Sequence, residues 1–64
     1  MTAIATYPTQ PEAESACQWI KDTCRIPCDV MYSEIVYRWA VRVRTEDARG
    51  AYARLRDAGK LAFN

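Results

Sequence analysis

The residues of this chain able to do covalent or metal chemistry are three cysteines, Cys17, Cys24 and Cys28, and eight carboxylates; histidine is absent. A cysteine nucleophile needs a positioned base, most often an imidazole, and none is present to serve. Glu12 and Glu14 stand two residues apart, so on a helix they point to different sides and do not form an acid–base pair. Glu46 and Asp47 follow Thr45 at the start of a helical pattern, where they complement the positive end of a helix dipole. No glycine-rich phosphate loop occurs. A structural zinc would need a fourth ligand from a carboxylate or another chain. The expectation is a protein without catalysis, metal or cofactor. The cysteines read as reduced and mostly core-packed, since free Cys behaves as a small hydrophobe. Cys17 and Cys24 on one helix would lie about 10.5 Å apart along its axis, too far to bridge. Cys24 and Cys28 flank a turn and can pair.

The other chemistry on offer is cationic. Lys plus Arg is nine against eight Asp plus Glu, a net charge of +1. That near-neutrality conceals a polarity. Residues 1–32 carry Lys21 and Arg25 against Glu12, Glu14, Asp22 and Asp29, a balance of −2; residues 33–64 carry seven basic groups against Glu34, Glu46, Asp47 and Asp57, a balance of +3. Arg38, Arg42 and Arg44 share one parity of a strand pattern, so they form a row on its open face if the aromatic and valine residues turn inward. Such a row can be a solvated face, a contact for an acidic protein surface, or a phosphate contact. RNA recognition on an open sheet also needs exposed aromatics, and on this strand they fall on the opposite parity. A second candidate surface is the outer side of the last helix, where Gly50, Ala53 and Asp57 are flanked by Arg49 and Arg56 on one side and Arg54 on the other. Glycine inside a helix costs about 1 kcal/mol relative to Ala; there it is either tolerated or leaves flat ground for close approach. The candidate partner-contacting residues are therefore Arg38, Arg42, Arg44, Arg49, Gly50, Ala53 and Arg56.

The elements that must position these residues follow from periodicity. Ala3–Tyr7 reads as a short strand. Thr9 and Glu12 have capping-box spacing and Pro11 suits a first turn, so a helix opens there. It runs to about Cys24 with Ala13, Ala16, Cys17, Ile20 and Cys24 on one face and Trp19 at that face's edge, and Pro27 stops it. Cys28–Tyr32 is a second strand, Ser33-Glu34 a turn, and Ile35–Arg44 the strongest strand, with Tyr37, Trp39, Val41 and Val43 alternating with Arg38, Ala40, Arg42 and Arg44. Thr45 caps a second helix whose apolar face is Ala48, Ala51, Tyr52, Leu55 and Ala58, ended by Gly59. Lys60–Phe63 reads as a last short strand or a packed tail. The order β-α-β-β-α, with or without a fourth strand, predicts a small α+β, ferredoxin-like domain with two helices on one face of an antiparallel sheet.

Two stretches, Tyr7-Pro-Thr-Gln-Pro-Glu-Ala-Glu and Trp39-Ala-Val-Arg-Val-Arg-Thr-Glu-Asp-Ala-Arg-Gly-Ala-Tyr, resemble the small signal-transducing domains related to the nitrogen-regulatory PII fold. They cover about a third of the chain. The resemblance implies a regulatory or ligand-sensing module, often self-associating. PII-like nucleotide binding requires a long flexible loop and a basic phosphate site, and a turn at Ser33-Glu34 is too short for that loop, so no nucleotide is carried over.

The length of 64 residues allows one domain, with about 60% of the unfolded surface buried and a marginal stability. The longest uncharged stretch, Met1–Pro11, holds two prolines and is far short of the roughly 20 apolar residues a bilayer span needs. The start of the chain has neither the basic nor the apolar region of a secretory signal, so no membrane association and a cytoplasmic location are expected. The function expected is non-enzymatic docking on a larger protein or protein complex, alone or as a homo-oligomer. Phages and mobile elements encode inhibitors of this size and character against host systems, anti-CRISPR proteins among them. A weak nucleic-acid binder using the arginine row is the alternative, and a PII-like regulatory module a third.

Overall fold

The computed structural model describes residues 1–61 and gives strands β1 (Thr2–Tyr7), β2 (Cys28–Ser33) and β3 (Arg38–Val43), with helices α1 (Gln10–Cys24) and α2 (Ala48–Asp57). β3 lies between the other two and runs antiparallel to both, giving the order β1-β3-β2. This is the split βαβ arrangement: β1 and β2 are parallel, α1 joins them, and β3 fills the gap. The domain is small, α+β and ferredoxin-like in type, as the element order led one to expect.

Local chemistry accounts for the element ends. The Glu12 amide donates to the Thr9 hydroxyl at 3.4 Å, so Thr9 caps α1, and Pro11 sits in its first turn. Arg25, in the left-handed region at φ 58°, turns the chain out of α1 ahead of Pro27. α2 ends in a Schellman turn: the Gly59 amide donates to the Arg56 carbonyl and the Lys60 amide to the Leu55 carbonyl, with Gly59 at φ 68°.

One core joins all five elements. Tyr7, Cys28, Val41 and Val43 from the sheet meet Ala13, Ala16, Cys17 and Ile20 from α1 and Ala51 and Leu55 from α2. Both helices therefore cover the same sheet face. The deepest side chains are Ile20, Leu55, Val41 and Val43. The Tyr7 hydroxyl donates to the Lys60 carbonyl at 2.6 Å, tying the segment after α2 back onto β1.

Several expectations need correction. The last strand begins at Arg38, not Ile35, and ends at Val43; Glu34–Tyr37 form a four-residue turn in place of Ser33-Glu34. Register decides this, because Ser33 pairs with Arg38 and leaves four residues to close the hairpin. Tyr37 is therefore off the sheet. Thr45 does not cap α2: Thr45–Asp47 form a separate 3-10 turn, and the Thr45 hydroxyl lies 2.8 Å from that of Thr2. Tyr52 and Ala58, expected inward, are exposed. β1 begins at Thr2 and carries a bulge at Ile4. Lys60 and Leu61 are not in a strand, and the rest of the expected last strand lies outside the described residues. Among the described residues, no helix is long and apolar enough to cross a membrane.

Candidate functional site

The open face of the sheet carries the arginine row, but each guanidinium is engaged within the molecule. Arg38 donates to the Thr6 hydroxyl at 2.9 Å and the Thr6 carbonyl at 3.2 Å. Arg42 makes a two-pronged contact with Asp29, both bonds 2.8 Å. Arg44 lies past the end of β3 and donates to Asp47 at 2.7 Å. The row is thus a set of cross-strand and turn ties: Arg38 binds β3 to β1, and Arg42 binds β3 to β2. Ala40 is covered on this same face, and Met31 stands half-exposed beside it.

Arg42 holds the Asp29 carboxyl below its usual range, chiefly through the hydrogen bonds. A carboxyl depressed in the folded state contributes stability above its unfolded value, about 3.9, and that contribution is lost as pH falls through the folded value. Asp29 is partly exposed, so the pair is worth no more than about 1 kcal/mol. Urea melts of wild type and Asp29→Asn should therefore differ by that small amount at neutral pH and converge as acid protonates the Asp29 carboxyl in the folded protein. A gap that persists unchanged into acid would show that the charge is not its source.

On α2, Arg49 and Arg56 are exposed, with Arg56 donating to Asp57 at 3.2 Å, and Ala53 is half-buried. Gly50 lines a shallow cleft of about 310 Å³ between the end of α1 and the start of α2, with Cys24, Ile26, Glu46, Asp47 and Arg54 among its neighbours. A Cβ built at Gly50 meets nothing within 4 Å, so no packing inside the domain requires glycine there.

The cysteines are all free. Cys24 and Cys28 are thus not bonded to each other; Cys17 and Cys28 are both buried in the one core, and Cys24 is half-buried at its margin. Burial, and then the Cys17 contact, push the Cys28 thiol up to about 12. Its thiolate fraction at neutral pH is then well below that of an ordinary thiol. A maleimide at pH 8 should label Cys24 promptly and Cys17 and Cys28 only under denaturing conditions. Equal labelling of all three in native buffer would contradict this packing.

Among the described residues, the two most exposed large apolar side chains lie elsewhere, at the end of the β2–β3 hairpin. Ile35 is 90% exposed, Tyr37 76% and Val36 50%. Tyr37 also sits in the left-handed region at φ 54°, which disfavours a bulky L-residue by roughly 1–2 kcal/mol. No burial of its ring offsets that strain. The stem below is braced on both faces. On the helix side Tyr32 packs edge-on against Trp39, ring centres 5.1 Å apart; on the open side Arg38 holds Thr6. A stiff ribbon thus presents three adjacent apolar side chains to water. None of them was among the sequence-derived candidates. A signal was available: Ile35-Val36-Tyr37 is a run of three apolar residues, and Val36 breaks the polar–apolar alternation that a half-buried strand keeps.

Neither a protein-family model, nor a curated protein, nor a solved structure matches the chain.

Proposed function

We propose that the chain is a non-enzymatic docking protein that inserts its β2–β3 hairpin tip into an apolar recess of a larger protein. The carrying observation is Tyr37, a strained and exposed aromatic between exposed Ile35 and Val36 and a braced stem. Interfaces concentrate their energy in a few aromatic or large side chains that fill pockets on the partner. Backbone strain persists where something outside local packing selects it. In its sharper form the protein is a steric inhibitor, of the kind phages and mobile elements direct at host systems such as CRISPR-Cas, because a rigid knob that fills a recess excludes other users of it. The arginine row supports a nucleic-acid face less well, since its guanidiniums already donate to Thr6, Asp29 and Asp47.

The test compares immobilised wild type with Ile35→Asp in capture from a lysate of the source cells. A single stoichiometric protein retained by wild type and lost with Ile35→Asp is expected, and its activity should fall on titration with wild type but not with the variant. Identical capture by both chains would overturn the reading.

A further inference from the structure

The two edges of the sheet differ. β1 is interrupted by the bulge at Ile4, and Pro8 follows its end. β2 pairs with β3 without a register break from Cys28 to Ser33, and it contains no proline and no lysine. Its one charge, Asp29, is neutralised by Arg42. Bulges, prolines and lysines are what block edge-to-edge pairing, so β2 is the unguarded edge. Among the described residues no strand occupies its outer side.

We infer that β2 pairs antiparallel with β2 of a second copy of this chain, about a two-fold axis through Met31. The register follows from the side chains. A two-fold axis perpendicular to the sheet keeps all helices on one side and makes one residue oppose itself. Val30 and Tyr32 lie on the helix face with Val41 and Trp39, and Met31 lies on the open face with Ala40. Placing Met31 opposite Met31 sets Val30 of each copy against Tyr32 of the other, two aromatic–β-branched pairs that cover the exposed edge of Tyr32. The two thioethers meet on the open face, where flexible methionines pack readily. Asp29 then opposes Ser33, and with its charge already answered by Arg42 it meets a small hydroxyl side chain rather than a second acid. Centring on Val30 instead puts Asp29 against Met31 and Tyr32 against Cys28, which sets a carboxylate on the thioether and loses the Val30–Tyr32 pairs. Centring on Tyr32 pairs only three residues of β2. The edge is self-complementary in one register, and the product is a continuous six-stranded sheet carrying four helices on one side. Residues 34–37 stay outside the paired segment, so this association does not rest on the docking reading.

Five paired residues make a small contact against the ~800 Å² per partner of a standard interface, so the association should depend on concentration. Sedimentation equilibrium across a dilution series is expected to move from 7.3 kDa to twice that mass. Met31→Lys and Met31→Glu place like charges at the axis, and because the position is half-exposed each variant should keep the wild-type circular dichroism spectrum. Each alone should hold the monomer mass at concentrations at least tenfold above the wild-type midpoint, and an equimolar mixture should recover the doubled mass. Ile35→Asp should associate like wild type, which separates this result from the docking test. Wild type at monomer mass throughout, a dimer that survives Met31→Lys, a mixture that fails to recover, or association lost with Ile35→Asp would each overturn the proposal.

Discussion

Ile20→Ala should unfold much of this protein at ordinary temperature. Ile20 is fully buried in the C-terminal half of α1, where the one core joins both helices and the sheet. Truncating such a side chain removes about 2–5 kcal/mol, the transfer term plus the cavity it leaves. A 64-residue domain has only roughly 3–10 kcal/mol of stability in total. The neighbours cannot collapse far to fill the space: Ala13, Ala16 and Cys17 on the same helix are small, and Val41 and Val43 are held in a central strand paired on both sides. The thermal midpoint by circular dichroism should fall by about 10 °C at the least, at 4–8 °C per kcal/mol for a domain of this size. Tyr52→Ala is the control, because Tyr52 is 42% exposed on α2 and its loss should shift the midpoint by no more than a few degrees. If the two variants melt together, the core has been misplaced.

That core is legible in the amino-acid sequence. The three-and-four spacing of Ala13, Ala16, Cys17 and Ile20, and the parity of Val41 and Val43, identify residues that the structure buries. Periodicity works there because a helix stripe and a strand face each have one geometric solution. It fails where two solutions share a pattern. Ile35, Val36 and Tyr37 have strand-forming side chains, yet closing the hairpin in the register that pairs Ser33 with Arg38 requires four residues outside the ladder. Pairing register is a long-range property, and side-chain preference does not contain it. The arginines fail differently. Their parity correctly puts Arg38 and Arg42 on the open face, but parity says nothing about what a guanidinium binds. Thr6 and Asp29 become its partners only when β1 and β2 flank β3. Charge counted by halves of the chain shows an acidic first half and a basic second half, and the fold sets an acid of the first against a base of the second at Asp29–Arg42.

Tyr37→Gly should make the protein more stable and remove its docking activity. Glycine adopts φ 54° without penalty, so the substitution relieves roughly 1–2 kcal/mol of backbone strain. The ring buries little within the domain, since the residue is 76% exposed. Glycine's extra freedom in the unfolded chain offsets part of the gain, leaving a net increase of a few tenths to about 1 kcal/mol in urea melts. Binding should move the opposite way: loss of an aromatic anchor at the centre of an apolar knob removes 2 kcal/mol or more, about a thirtyfold rise in Kd. Tyr37→Asn separates the two effects, because asparagine tolerates the left-handed region without supplying a ring; it should match glycine in losing the partner. A tyrosine kept merely because it is harmless would give a different pattern, with stability rising and binding unchanged. If Tyr37→Gly instead lowers stability, the turn is held by contacts of that ring within the domain, and the tip is a structural corner of the hairpin. Opposite movement of stability and affinity at one residue is the mark of a side chain kept for a surface outside its own fold.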